Sequence, residues 1–494
     1  VSATTTPPTI TSPPPTDAQI RRAISGLMLV LALASLDGNI VGPALPRIVS
    51  DLGGLAHLSW VVTAFAVAST ASTPLYGKLS DQFGRRAAFF ASIGLFLLGS
   101  VCCGAARSMP VLIAARALQG AGAGGLITLT QTAIADLVSP RERGRWQGMV
   151  AAVFAVCSVA GPLLGGVITD AASWPWIFYL NLPLGAAALA ILAVSLPHRP
   201  PRPSGKVDVA GFTLLIGATC TSLLLLSWAG TAYAWTSAPI VALAAATLFM
   251  LGLLVLVQRR AAEPALPPHL FADRVFSCAV SAMTLLSAAL FGSLVFIPLY
   301  FQLVFGASAT EAGLRMAPLM GGLIVSSVIG GRLVSRTGRY KRYPVAGLAI
   351  GVLSLAVMAA ATLRGVLANG FDALLVVLGM ALGLVMPNVT TAVQNAVAPH
   401  DVGVATATLG FFRSLGGALG VAVAGTILST TLHGAGSALS LGLTQLRALP
   451  IAERLHLALA YSHALSWIFA TAAVMTACAF VIVLFMPERV LRGR

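Results

Sequence analysis

Hydrophobic positions in this chain gather into apolar runs of about 20 residues that recur from Ile24 to Phe485, separated by short polar turns. A hydrocarbon core about 30 Å thick is crossed by about 20 helical residues, and only helices or closed barrels satisfy their backbone groups there. The runs are too long for barrel strands, so the pattern predicts an all-α membrane protein. Fourteen spans are expected, near 23–42, 57–77, 87–106, 110–133, 146–169, 176–196, 209–228, 238–257, 276–302, 309–331, 344–363, 371–397, 403–428 and 463–485. Short loops join the neighbouring spans at the breaks around Pro175 and Gly306, and an odd count would invert half of the topology.

Composition agrees: of 494 residues 57% are hydrophobic and 9% charged, with a mean hydropathy of +0.90, where soluble domains carry roughly 25% charged residues. A net charge of +15 and a pI near 10.5 raise the question of nucleic acid. The placement of the charges answers it. Lys and Arg alternate between loops as the positive-inside rule requires. They concentrate on the side of Arg21/Arg22, Lys78/Arg85/Arg86, Arg141/Arg143/Arg145, Arg259/Arg260 and Arg332 to Arg342, while Arg47, Arg107, Arg364, Arg447 and Arg454 fall opposite. The excess is topology facing an anionic leaflet. It predicts a multi-pass inner (cytoplasmic) membrane protein with both termini cytoplasmic.

Residues 1–20 read as a disordered, Pro/Thr/Ser-rich cytoplasmic tail without the apolar region of a signal peptide. The six cysteines sit in or beside spans without metal spacing, so no disulfide framework is expected. Leu446 to Leu459 is amphipathic and reads as a short helix on the outer surface. Gly77-Lys-Leu-Ser-Asp-Gln-Phe-Gly-Arg-Arg86 and Gly331-Arg-Leu-Val-Ser-Arg-Thr-Gly-Arg-Tyr340 share a frame and follow the second and tenth spans. That repetition predicts two pseudo-symmetric six-helix bundles, 21–197 and 275–487, with two inserted transmembrane helices and their linkers at 198–274 and a tail at 488–494. Such halves place a binding site at their interface near the midplane.

Asp37 is the most informative residue, because a carboxylate at mid-span costs about 2.5–3.5 kcal/mol and usually lines a cavity or carries function; the bland reading is a static ion pair or cap. Arg116 lies at a similar depth, roughly 9 Å inside its span end, and direct contact, a water bridge and separation all remain open. Glu311 and Arg315 form an i, i+4 pair. Arg413 sits about 15 Å into its span, too deep to snorkel easily, and should face a polar cavity or a carbonyl cluster. Asn39, Trp60, Gln131, Phe154, Phe296, Tyr300, Met320 and Asn388 are further candidates for an adaptable cavity lining. Gly120-Ala-Gly-Ala-Gly-Gly125 matches a dinucleotide fingerprint but lies inside a span with no strand before it, so it reads as close helix packing. There is no phosphate-binding loop of the G-x-x-x-x-G-K type and no catalytic or metal constellation. That leaves an ion gradient, with no cofactor, as the energy source for a protein that is not an enzyme; the resemblance below implies that the ion is a proton.

These residues resemble the fourteen-span drug:proton antiporters of the major facilitator superfamily, the QacA- and EmrB-like exporters. Gly77 to Arg86 is similar to the superfamily's inner-loop signature, and the resemblance implies a cytoplasmic latch of Gly77, Asp81, Gly84, Arg85 and Arg86, with Asp401 as counterpart. Leu112 to Gly124, with Arg116, Gln119, Gly120 and Gly122, looks like the fourth-span motif linked with proton transfer. Gly161, Pro162, Gly165 and Gly166 resemble the antiporter motif, with Cys157 where its first Gly is usual. Leu36 to Pro46 is similar to the first-span motif, placing Asp37 on the acid credited with proton and substrate coupling; Asn39 stands where Thr is usual, and Pro43 is an added helix breaker.

The resemblance implies proton-coupled multidrug efflux of lipophilic, cationic or amphiphilic compounds by alternating access. An acidic cavity favours cations, whereas Arg116 and Arg413 suit neutral or anionic amphiphiles equally. An exporter of one endogenous lipid, metabolite or antibiotic, and a non-transporting sensor or scaffold, are the alternatives. Expected partners are a small-molecule substrate, protons and the bilayer, not nucleic acid; an envelope adaptor is left open.

Overall fold

The computed structural model describes residues 17–53, 57–139, 142–196, 208–229, 233–261, 264–307, 309–364, 368–431 and 451–491. Apart from one isolated bridge between Ala229 and Tyr233, the described elements are helices. The first half comprises α1 (Asp17–Leu52), α2 (Leu58–Phe83), α3 (Arg85–Gly104), α4 (Met109–Leu137), α5 (Arg143–Ala171), α6 (Pro175–Tyr179) and α7 (Asn181–Ser195). The inserted pair is α8 (Val209–Trp228) and α9 (Ala238–Gln258), followed by the short α10 (Pro268–Ala272). The second half comprises α11 (Arg274–Leu294), α12 (Ile297–Val304), α13 (Ala309–Leu314), α14 (Ala317–Thr337), α15 (Arg342–Arg364), α16 (Ala368–Ala396), α17 (Val402–Thr431) and α18 (Ile451–Leu484).

Among the described residues, 13 helical stretches are long and apolar enough to cross a membrane. Three of them join neighbouring helices: Pro175–Ser195, Arg274–Val304 and Glu311–Thr337. The 26-residue α2 occupies the place of the second expected span and reaches about 39 Å. The turns at Ala172 and at Gly306, whose φ of +69° suits glycine, separate the two pairs of spans whose short joining loops the sequence placed around Pro175 and Gly306.

Four expectations change. Residues 17–20 belong to α1, while 1–16 lie outside the described residues. Pro43 does not end that helix, which continues through Pro46 to Leu52, because its outer third is held by packing of Ala44 and Ile48 with Met109, Leu112 and Ile177. The described part of the amphipathic stretch, 451–459, is the beginning of the 34-residue α18 rather than a separate surface helix. The expected tail at 488–494 is anchored in its described part: Arg489 pairs with Asp273 at 2.7 Å, and Leu491 is buried.

Packing repeats from half to half. α1 lies on α5 and α7 as α11 lies on α17 and α18; α2 lies on α4 as α14 lies on α16; α3 lies on α4 as α15 lies on α16. The halves meet where α2 packs on α17 and α5 on α14. Named contacts of that interface gather at the basic-loop ends: Gly77 against Ala407, Gly148 against Val328, and the Gln394 amide donating to the Gln131 carbonyl at 3.4 Å. α8 bridges α2 and α17 from outside and carries α9 on its far face.

Candidate functional site

Four helices of the first half converge on Asp37. Its carboxylate is fully enclosed and accepts from the Arg116 guanidinium at 2.9 Å, the Gln119 amide at 2.7 Å and the Asn181 amide at 2.9 Å. Burying an ion pair costs several kcal/mol per ion in lost hydration, recovered only with good geometry and further hydrogen bonds. The second layer supplies them. Arg116 also donates to the Gln119 carbonyl oxygen at 2.6 Å and to the Val61 carbonyl at 3.2 Å, and its guanidinium lies over the Phe65 ring, 4.1 Å from the centroid. Ser100 accepts from Gln119 at 2.8 Å and from Asn181 at 3.2 Å.

Small residues make this convergence possible. Gly99 of α3 lies so close to α4 that a Cβ would fall 2.5 Å from the Gln119 nitrogen. Gly120 and Gly124 face backbone carbonyls of α2, and Gly122 and Gly125 face α3, so the glycine-rich stretch is a two-sided packing surface. Gly161 and Gly165 of α5 seat against Asn39 and Ile40, just beyond Asp37, so this glycine pair of α5 holds the acid-bearing stretch of α1. α5 runs unbroken through Pro162, Gly166 faces open space, and the Cys157 thiol donates to the Ala32 carbonyl at 3.8 Å.

Behind the Val61 and Phe65 face of α2, the next face opens on a cavity of about 750 Å³ between α2, α4 and α8. Trp60, Ala64, Ala68, Ile113, Ala117 and Ile216 line it, with Ser72 among its few polar groups. Trp60 meets Trp228 of α8 edge-on at 5.5 Å. A cavity this size and this apolar is of the kind that takes a drug-sized lipophilic molecule, and the inserted α8 is one of its walls.

At the basic-loop end, Asp81 accepts from the Gly403 and Val404 amides at 3.2 and 2.8 Å, capping α17 of the opposite half. The carboxylate complements the positive end of that helix. Arg85 ties Asp81 to Asp136, which it meets at 2.9 Å. Gly84, with φ +89°, makes the abrupt α2–α3 junction that presents both side chains. Arg86 instead lies over Phe90. Asp401 does not join this cluster; it faces His269 at 3.1 Å and His400 at 3.4 Å, because the free amides of α17 are already taken by Asp81.

The remaining cavity candidates separate. Gln131 sits at the closed interface, accepting from Gln147 at 2.5 Å. Tyr300 is buried among Phe301, Phe305 and Phe371, and Met320 and Phe296 pack against the same core. Phe154 packs against the first half's core. The Asn39 and Asn388 amides bond carbonyls of their own helices at 2.7 Å. Arg413 is partly exposed, deep in α17, and has no ion-pair or hydrogen-bond partner among the described residues. Sequence reasoning missed Asn181, Ser100, Asp136 and Gly403. Asn181 carried a signal, as an amide among apolar residues at the break between α6 and α7.

The model of the Major Facilitator Superfamily matches residues 27–421. The chain is 38% identical to MFS-type transporter Rv1877 of Mycobacterium tuberculosis over 98% of its length and 72% of that protein. It is 37% identical to the multidrug transporter protein MdtP of Bacillus subtilis over 82% of its length and 75% of that protein. The crystal structure of the human organic anion transporter MFSD10 shares the fold, with a TM-score of 0.65 at 18% identity, covering 96% of this chain and 100% of that one. With its repeated halves, many apolar helices and relatives matched over about three quarters of their length, the chain is a multi-pass membrane transporter, not an enzyme, and belongs to the major facilitator superfamily.

Proposed function

We propose that this transporter is a proton-coupled exporter of lipophilic and amphiphilic compounds, of the fourteen-span drug:proton antiporter type, working by alternating access with the basic loops in the cytoplasm. The observation that carries the reading is an enclosed carboxylate of α1 paired with a guanidinium of α4, a helix that also walls a drug-sized apolar cavity. The identity to a named multidrug transporter supports the cargo class.

Coupling follows from that shared wall. A proton on Asp37 cancels its charge, turns an acceptor into a donor and leaves Arg116 with only neutral partners, so α1, α2 and α4 must repack. Cargo in the cavity presses on Trp60, Ala64 and Ala117, one helix face away from Val61 and Arg116. Because Asp37 itself is walled off, proton and cargo compete through the position of α2 and α4 rather than for one spot. The Asp81 cap on α17 stabilises the form closed at the basic loops, in which the cavity drains outward.

The test uses full-length protein in liposomes with an imposed pH gradient and voltage. Cargo-driven proton release and uphill cargo movement are expected from the native chain, and both are lost in Asp37→Asn with folding retained. Cargo that moves uphill equally well after both gradients are collapsed would overturn the reading.

A further inference from the structure

The direction of the hydrogen bonds around Asp37 says more than its burial does. A carboxylate only accepts, so an amide that faces it presents its NH2 group. Gln119 donates to Asp37 Oδ1 at 2.7 Å and to Ser100 Oγ at 2.8 Å. Asn181 donates to the same two atoms at 2.9 and 3.2 Å. The four buried side chains therefore close a ring across α1, α3, α4 and α7, in which both amides give two bonds while Asp37 and Ser100 receive them. Arg116 donates to the other carboxylate oxygen, so all three partners of Asp37 among the described residues are donors.

That ring suits an ionised acid. A proton on Asp37 adds an O–H that meets only N–H groups, and a buried donor without an acceptor costs about 1–3 kcal/mol. One neighbour has to reverse its sense. Arg116 has no acceptor to offer. Gln119 is held as it stands, because its carbonyl oxygen receives Arg116 at 2.6 Å and the Cys103 thiol at 3.6 Å, and turning it would set NH2 against guanidinium. The Asn181 side-chain carbonyl accepts no hydrogen bond among the described residues. Rotation about its last bond, a broad two-fold torsion, exchanges NH2 for oxygen without breaking any bond to that oxygen. The other neighbours have different tasks. α2 offers the Val61 carbonyl and the Phe65 ring to Arg116, α5 brings the Cys157 thiol to Ala32, and Tyr179 of α6 lies against Gly104 of α3.

We propose that Asn181 is the positioning residue that admits the proton: when Asp37 is protonated on Oδ1, the Asn181 amide turns over and its carbonyl oxygen receives both the new Asp37 O–H and the Ser100 O–H. The inference rests on the reading of Asp37 as the proton-carrying acid. No further proton moves. The added one stays on Asp37, and Ser100, whose two lone pairs both receive amides in the ionised ring, turns its own hydrogen inward while still accepting from Gln119. α1, α3 and α7 thus remain tied in both states, with the sense of two bonds reversed. The ring absorbs the proton on that side, and the mechanical change falls on Arg116 and on the α2 and α4 contacts that it braces.

The test is infrared difference spectroscopy, acid minus neutral, on full-length protein in lipid nanodiscs without cargo or gradient. The carbonyl stretch of protonated Asp37 is the band that Asp37→Asn removes. In the native chain it is expected at the lowered frequency of a hydrogen-bonded carboxylic acid. Asn181→Leu, similar in shape and lacking an acceptor, should move it up to the frequency of an unbonded acid. Ser100→Ala, which opens the ring but spares the acceptor, should leave it in place. A native band already at the unbonded frequency overturns the proposal without any Asn181 variant having to fold. A band that stays bonded in Asn181→Leu, or that rises equally in Ser100→Ala, overturns it too; all three results leave Asp37 standing as the proton site. Absence of any Asp37-dependent band over the pH range of cargo-driven proton release sinks the exporter reading of that acid, and this inference with it.

Discussion

The loops after the second span of each half share a frame, and one of the positions at which they differ decides their partners. In the first, Asp81 crosses to the other half and caps α17. In the second, Ser335 stands at the equivalent place and bonds back to Gly331 at 2.9 Å. That second loop is tied into its own half, with the Tyr340 hydroxyl accepting from the Arg489 amide at 3.0 Å and Lys341 donating to the Leu484 carbonyl at 2.7 Å. The same asymmetry runs through the spans. The first half encloses an acid and a guanidinium, whereas Arg315 and Asp372 of the second form a pair exposed by 23% and 28%. A duplicated scaffold thus keeps its packing pairs while one copy encloses its ion pair and the other leaves its pair partly exposed.

The largest expected difference is between those two ion pairs. Arg116→Ala leaves a buried carboxylate unpaired and should destabilise the protein by about 3–5 kcal/mol, while Arg315→Ala should cost about 0–1 kcal/mol; unfolding in detergent measures both. Similar losses would break the comparison. Next come the loops. Asp81→Asn weakens a charged cap worth about 1.5–3 kcal/mol, so a spin-label pair across α5 and α14 at the basic-loop ends should report a shift toward the open form of about tenfold or more. Ser335→Ala should move that distance distribution by no more than about 0.5 kcal/mol. A smaller effect than that of Asp81→Asn is expected at the cavity. Trp60→Ala removes an edge-on contact worth about 0.5–1.5 kcal/mol, which should appear as weaker cargo binding and a shifted Trp228 emission. Unchanged binding would place the cargo away from α8.

Much of the site could be read from composition and spacing, because the membrane makes polar residues conspicuous. An acid at position 37 and a guanidinium at 116 in apolar runs stand out against their cost, and counting residues from the span ends gave both the same depth. Their contact was not legible, since depth fixes one coordinate and rotation about two helix axes fixes the others. Asn181 and Ser100 were missed for a related reason: an amide or hydroxyl is common enough in spans that only its neighbours reveal a role. Tyr300 and Asn388 illustrate the reverse. Both look like cavity residues in the chain, yet one closes an aromatic core and the other bonds its own helix.

Sequence alone determined that this protein lives in a bilayer, how its spans are paced and which side gathers its basic loops, because transfer of side chains and backbone into hydrocarbon is a local, additive cost written residue by residue. Tertiary structure alone decided that Asp37 and Arg116 neutralise each other, that Asp81 rather than Asp401 serves α17, and that Arg413 is left without a partner. Pairing of charges depends on which helix faces meet, and glycine contacts between segments far apart in the chain set those faces.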